Sequence, residues 1–359
     1  MTSGQECSAR PLPCGLVAPV YTMAPMVKQS DRPFRALLRE HGCTLCYTEM
    51  FMADKFATCA TYRRRALGDG VDKDDHPLIV QFAANDKDIL LKAALEAQAM
   101  GADGIDLNLG CPQPRAREGG YGAHFAHDTG AWAKIAEMVR TCASDPELRI
   151  PIFCKIRLQP TVSATIKFAS MLEDAGCALL AIHGRKLLVG KSKARDGPAD
   201  LGAVAAVRSA LRAMPVLSNG NVRCPADVCT NLASTRCEGI MCAEQLLKDP
   251  ALFERAAAHS AKAAGSIPAR LPSAEELVEE YLGLCCDFDG EDDAHCFSVW
   301  GASNGHVVRE HVNRMSACVV TPDQPSAKVG SKPQEGPRPN KRPFATLVES
   351  SKDDDDATP

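Results

Sequence analysis

The chain has 359 residues, 45% of them hydrophobic and 24% charged, with a formal net charge of −4. That length accommodates one large domain and an accessory one, and the slightly acidic balance excludes a uniformly basic nucleic-acid binder, so any RNA contact has to come from local patches. Residues 1–10 lack an apolar signal region and no later run approaches a membrane span, so no membrane association is expected; seventeen cysteines without a framework of short loops indicate a reducing compartment, cytosol or nucleus.

In chain order, residues 21–27 read as a first strand, and Ser30-Asp31-Arg32-Pro33 supplies a cap, an acidic residue and an early proline for a helix ending near Gly42. Further strands are expected at 44–50, 76–83, 104–109, 151–158, 178–184, 215–219 and 239–243. Helical patterns fall between most of them, at 86–100, 131–143, 163–175, 201–212 and 225–234. Eight such units over roughly 250 residues suit a (β/α)8 TIM barrel better than an open doubly wound sheet.

A barrel of this kind carries its functional residues at the C-terminal ends of its strands. Those ends hold Pro25-Met26-Val27, Glu49, Gln81, Asn108 with Cys111, Lys155 with Arg157, His183 with Arg185, Asn219-Gly220-Asn221 and Ala243-Glu244. Polar groups in apolar strands are costly unless paired or facing a ligand, and their recurrence on strand after strand favours a site. Cys111 stands out among them. The run Gly104 to Leu109 is strand-like, and Gly110 and Pro112 end it with a thiol between them. A cysteine with ordinary acidity is mostly protonated at neutral pH and can donate a proton.

The ligand follows from the same residues. The turn Ser218-Asn219-Gly220-Asn221, with a helix opening near Pro225, offers backbone N–H groups after strand seven, and strand eight ends close by in Ala243-Glu244; this is the usual phosphate site of the fold. Gln81, Asn108 and Lys155 can hydrogen-bond the polar edge of a flat heterocycle, and Lys155 can stabilise negative charge on it. Reduced flavin mononucleotide (FMN) fits that description better than a nicotinamide with two phosphates, and no glycine-rich dinucleotide fingerprint follows any strand. Cys43-x-x-Cys46 has a zinc-like spacing but no second pair in range, so no metal is expected. Arg63-Arg64-Arg65 reads as a solvated charge run, whereas Arg115 and Arg117 lie on the loop that carries Cys111.

Together, Ala24-Pro25-Met26, Asp31-Arg32-Pro33-Phe34-Arg35, Val80-Gln81-Phe82, Asp106-Leu107-Asn108-Leu109-Gly110-Cys111-Pro112, Lys155-Ile156-Arg157, His183-Gly184-Arg185 and Asn219-Gly220-Asn221 resemble the tRNA-dihydrouridine synthases over roughly residues 16 to 255. Cys46-Tyr47-Thr48-Glu49-Met50, Gln81 to Asp86, Tyr121-Gly122-Ala123 and Ala243-Glu244 look like the eukaryotic branch named for the paired D-loop uridines 16 and 17. The resemblance implies an FMN-binding barrel over 16–258 after an N-terminal extension over 1–15, and a small, degenerate helical tRNA-binding-like region over 259–320; the tail over 321–359, rich in Pro, Ser and charge, is expected to be disordered on its composition. It implies reduction of the C5=C6 bond of a tRNA uridine with NADPH or NADH as electron donor, in a monomer. It places Pro25, Met26, Val27, Gln81, Asn108, Lys155, His183, Asn219, Gly220, Asn221, Ala243 and Glu244 on flavin-contact positions and Cys111 on the proton donor. His183 could instead polarise the uracil.

Departures from the family pattern bear on RNA. Glu244 beside a phosphate would repel it, so binding there has to come from backbone N–H groups. The loop from Lys186 to Arg195 is basic, and with Arg115, Arg117 and Arg185 its Lys191 and Lys193 either track the tRNA backbone or form a solvated loop. Ser273 to Asp287 reads as a capped amphipathic helix, while Asp293 stands where relatives usually have Arg. Two rival readings are a dihydroorotate dehydrogenase-like flavoprotein and a non-catalytic RNA-binding relative.

Overall fold

A computed structural model describes residues 10–187, 197–266, 270–288 and 310–317 of the chain. Eight parallel strands form one sheet: β1 (Val20–Met23), β2 (Cys46–Met52), β3 (Leu78–Ala83), β4 (Gly104–Leu109), β5 (Ile152–Leu158), β6 (Leu179–Lys186), β7 (Val216–Asn219) and β8 (Gly239–Cys242). From β2 to β8 each pairs with the next in sequence, and β1 pairs with β8, so the sheet curls into a nearly closed ring. The seam between β1 and β2 is a single bridge, Thr22 to Leu45, backed by a hydrogen bond from Met23 N to Leu45 O of 2.9 Å. This is the expected TIM barrel.

The strands form where they do because each apolar run is buried on both faces, as a parallel barrel requires. β3 and β4 are buried at every position. One face turns outward to the helices; the other fills the lumen with Leu45, Tyr47, Ile79, Phe153, Leu217 and Met241. The N-terminal mouth is covered by residues 10–17. Leu12, Cys14 and Leu16 pack against the lumen cluster. Arg10 donates to the carbonyls of Met214 (2.7 Å), Arg208 (2.8 Å) and Leu211 (2.6 Å), which lead into β7.

Side-chain caps set the helix starts. Asp31 Oδ1 accepts from Phe34 N at 2.8 Å ahead of the helix Arg32–Glu40, and Asp86, Thr161 and Asp200 do the same for the helices Lys87–Ala99, Val162–Asp174 and Leu201–Ala210. Ser273 and Glu276 form a reciprocal capping box, with Glu276 N to Ser273 Oγ 3.2 Å and Ser273 N to Glu276 Oε2 2.7 Å, opening the helix Ala274–Phe288. That helix packs on Arg32–Glu40, where Tyr281 and Phe34 meet edge to face and His311, fully buried, donates to or accepts from the Tyr281 hydroxyl at 2.8 Å. His41 ties the same corner together. Its ring nitrogens lie 2.7 Å from Glu254 and 3.0 Å from Glu280, and these two carboxylates raise its pKa against the opposing effect of burial.

Among the described residues no helix is long and apolar enough to cross a membrane. Cys43 and Cys46, the latter the first residue of β2, are core thiols 3.8 Å apart.

Ring closure leaves no room at Gly239. A Cβ there would stand 2.3 Å from Val20 O and 2.7 Å from Leu217 Cδ2. Gly239→Ala is therefore expected to destabilise the protein by about 1–3 kcal/mol through overpacking, read as a lowered thermal midpoint; an unchanged midpoint would show that the β1–β8 contact yields freely.

Candidate active site

The two-residue period of the strands turns the polar residues at their C-terminal ends into one cavity mouth. Strand register makes them neighbours: Gln81 pairs with Asp106, Asn108 with Lys155, Arg157 with His183, and His183 with Asn219. Hydrogen bonds join them. Asn108 Nδ2 donates to Gln81 Oε1 at 2.8 Å and Gln81 Nε2 to Asp106 Oδ2 at 2.8 Å. Lys155 Nζ donates to Asn219 Oδ1 at 3.2 Å, and Asn219 Nδ2 to Met241 O at 2.8 Å.

The charges at this mouth are mainly positive. Burial lowers the Lys155 ammonium to about 8, assisted by Arg157 and partly offset by Asp106. Burial also holds the His183 imidazole far below its usual range, with Lys155, Arg157 and Arg185 adding to the effect. His183 is therefore neutral at pH 7. A guanidinium can only donate, so the 2.7 Å contact with Arg185 Nη1 makes His183 Nε2 an acceptor and puts the ring proton on Nδ1.

Cys111 sits at the rim, on a loop held from several sides. Asn108 Oδ1 accepts from Gly110 N (3.2 Å) and Cys111 N (2.9 Å); Arg157 Nε donates to Gly110 O (2.8 Å); Ala123 N donates to Cys111 O (2.9 Å). The partly buried side chain packs against the cluster of Ala83, Ala116 and Tyr121, on which Met50 and Met52 also rest. Arg115 and Arg117 are exposed on the short helix Pro114–Glu118 that follows.

The turn after β7 is built from side chains as well as backbone. Gly220 has a φ of +121°, and a Cβ there would lie 2.7 Å from Ala199 Cβ, so glycine is required. Asn221 clamps Ala199 through both amide atoms, accepting from its N at 2.7 Å and donating to its O at 2.8 Å. Ala243 and Glu244 lie in the turn after β8, and the Glu244 carboxylate pairs with Lys248 at 3.5 Å. Pro25, Met26 and Val27 form the turn after β1, where Met26 N donates to Ser30 Oγ at 2.9 Å and Val27 is exposed. Lys191 and Lys193 lie outside the described residues.

A match to the family described as "Dihydrouridine synthase (Dus)" spans residues 22–295. The chain belongs to the dihydrouridine synthase family. It is 40% identical over 288 residues to a protein of Rattus norvegicus named tRNA-dihydrouridine(16/17) synthase [NAD(P)(+)]-like, covering 78% of this chain and 59% of the relative. It is 33% identical over 292 residues to the tRNA-dihydrouridine(16/17) synthase [NAD(P)(+)] of Schizosaccharomyces pombe, covering 81% of this chain and 69% of the relative. The chain thus spans little more than half the length of the rat protein. Among solved structures, 2-naphthoyl-CoA reductase in complex with 2-naphthoyl-CoA aligns with a TM-score of 0.50 at 10% identity, over 70% of this chain and 50% of that one, a likeness of fold.

Two residues at this site were given no role by sequence reasoning. Arg157 was noted at a strand end but its grip on Gly110 was invisible, since it spans two strands. Asp106 was read as part of an apolar strand, although the period of two puts it on the same interior face as Asn108.

Proposed function

We propose that the protein reduces the C5=C6 bond of a uridine in tRNA, using FMN held at the barrel mouth and a reduced nicotinamide as electron donor. The observation that carries this reading is the arc of Gln81, Asn108, Lys155, His183 and Asn219 that strand register brings together, tied by the Asn108–Gln81 and Lys155–Asn219 hydrogen bonds, with a cysteine on the adjoining loop. The donor set suits the cofactor. Lys155, Arg157 and Arg185 surround a neutral imidazole, a concentration of positive charge that an anionic ring edge and a phosphate would relieve. Backbone N–H groups of Asn219 to Asn221 and of the turn after β8 would hold the phosphate, and Glu244, drawn to Lys248, leaves that approach to the backbone. When bound, the reduced flavin supplies a hydride for C6 of the uracil.

The residues of the chain do the rest. Gln81 and Asn108 present amide groups to the ring edge, and Lys155 stabilises negative charge there. Cys111, fixed by Asn108, Arg157 and Ala123, delivers a proton to C5, and the thiolate left behind is reprotonated from solvent. A uridine inside a tRNA loop has to be drawn out of its stack to reach this mouth. Arg115 and Arg117 on the rim, and the basic run through Lys191 and Lys193, are suited to the phosphates of such a strand.

Two outcomes test the assignment. Cys111→Ala should bind flavin and accept electrons from NADPH at the wild-type rate, yet form dihydrouridine ~10²- to 10⁴-fold more slowly in single turnover, the usual loss for a positioned general acid. A wild-type rate would remove Cys111 from the chemistry.

The second concerns pH. Burial lowers the Lys155 ammonium in the free protein to about 8, below the ordinary lysine value, so a bound anion has the full benefit of the cation only below that point and progressively less above it. Anaerobic titration of apoprotein with reduced FMN should therefore show affinity falling from pH 7.5 to 9, by up to about tenfold per unit above the free-protein value. Lys155→Met should bind more weakly at pH 7.5 and show a flat profile; a flat wild-type profile would place the flavin away from Lys155.

A further inference from the structure

The chemistry above leaves unused a buried titratable group that belongs to the site's own hydrogen-bond chain. Asp106 is fully buried in β4, two residues before Asn108 on the same interior face. Its Oδ2 accepts from Gln81 Nε2 (2.8 Å), Gln81 Oε1 accepts from Asn108 Nδ2 (2.8 Å), and Asn108 Oδ1 accepts from Cys111 N (2.9 Å) and Gly110 N (3.2 Å).

The direction of this chain of amides is forced from both ends. Backbone N–H groups only donate, so Asn108 must turn its oxygen to them and its NH2 to Gln81. Gln81 must then receive with its oxygen and offer its NH2 at the far side, where only an acceptor can stand. A carboxyl oxygen meets that need. Burial raises the Asp106 carboxyl to about 7, and a proton carried on Oδ1 leaves Oδ2 an acceptor, so the direction is the same on either side of neutrality.

We infer that Asp106 is a positioning residue for Cys111, setting through Gln81 and Asn108 the orientation of the backbone that carries the thiol. The inference rests on the reading of Cys111 as proton donor. Without the carboxyl, the Gln81 amide is free to turn over, and a turned amide points its NH2 at the NH2 of Asn108. Asn108 then loses that contact or releases Gly110 and Cys111. Arg157 still holds Gly110 O and Ala123 still holds Cys111 O, so the loop loosens rather than unfolds. Proton transfer depends steeply on placement and registers that loosening.

A double-mutant cycle in single turnover tests this. Asp106→Leu and Asp106→Asn are each made with Cys111 intact and with Cys111→Ala, and dihydrouridine formation from unmodified tRNA is followed beside flavin reduction by NADPH. Asp106→Leu should slow dihydrouridine formation by about tenfold or more with the thiol present, the rate equivalent of one lost hydrogen bond to a carboxyl group. In the Cys111→Ala background it should change the rate less than about twofold, because the two residues act in one chain. Flavin reduction should stay within about twofold in Cys111→Ala; in the Asp106 variants, where the Gln81 amide also faces the flavin, it should slow less than dihydrouridine formation does, and the ratio of the two rates carries the test. Asp106→Asn, nearly isosteric, keeps the fold if the leucine variant does not, and should slow the reaction to an intermediate degree, since its amide offers an oxygen in one rotamer and an NH2 in the other. Equal slowing in both backgrounds, or none in either variant, overturns the inference while leaving Cys111 as donor. A wild-type rate for Cys111→Ala alone removes the donor reading and the inference with it.

Discussion

An ammonium group at the mouth of a parallel barrel is costly unless something compensates its lost hydration. Lys155 rests on an amide oxygen, Asn219 Oδ1, and makes no ion pair among the described residues. The consequence spreads through the site. Asn219 has to spend its own NH2 on Met241 O to keep that oxygen facing Lys155. His183, beside Lys155, Arg157 and Arg185, has to remain neutral. A mouth arranged this way is ready for an anion, and the turn after β7 lies next to it.

The cysteine depends on the same strands. β4 ends in Leu109, and the loop beyond would be free to wander were it not fixed by β4 itself through Asn108, by β5 through Arg157 and by the helix Gly122–His127 through Ala123. A thiol proposed to meet one carbon of a base gains from being held by rigid elements rather than by its own loop. Gly122, with a φ of +71° and space for no Cβ within 2.7 Å of Cys111 O, permits the close approach.

Much of this was legible in the residues, for definable reasons. The eight strands announced themselves as apolar runs ended by turn residues, and most of the long helices as periodic segments, several of them capped like the one behind Asp31. The short helices Ala53–Thr58, Ala60–Leu67, Pro114–Glu118 and Gly122–His127 and the longer Leu252–Ala263 were not read: none has a side-chain cap to mark its start, and the short ones span too few turns to show a period. Strand β2 was placed two residues early: Thr44 and Leu45 do bond to Tyr21, but as the barrel's seam rather than as part of the ladder with β3. At the site, polar residues inside apolar strands gave away Gln81, Asn108 and Lys155. What they hydrogen-bond depends on register between strands far apart in sequence, so the Asp106–Gln81–Asn108 chain and the packing of Tyr281 and His311 on Phe34 needed the fold.

The central claim is that this mouth turns uridine into dihydrouridine in tRNA. Its most direct measurement is anaerobic incubation of flavin-loaded protein with unmodified tRNA and NADPH, followed by nucleoside mass spectrometry. The account expects a product two mass units above uridine, formed by the wild-type chain and absent without protein or without NADPH. Flavin reoxidation with no gain of mass in the tRNA nucleosides would contradict it.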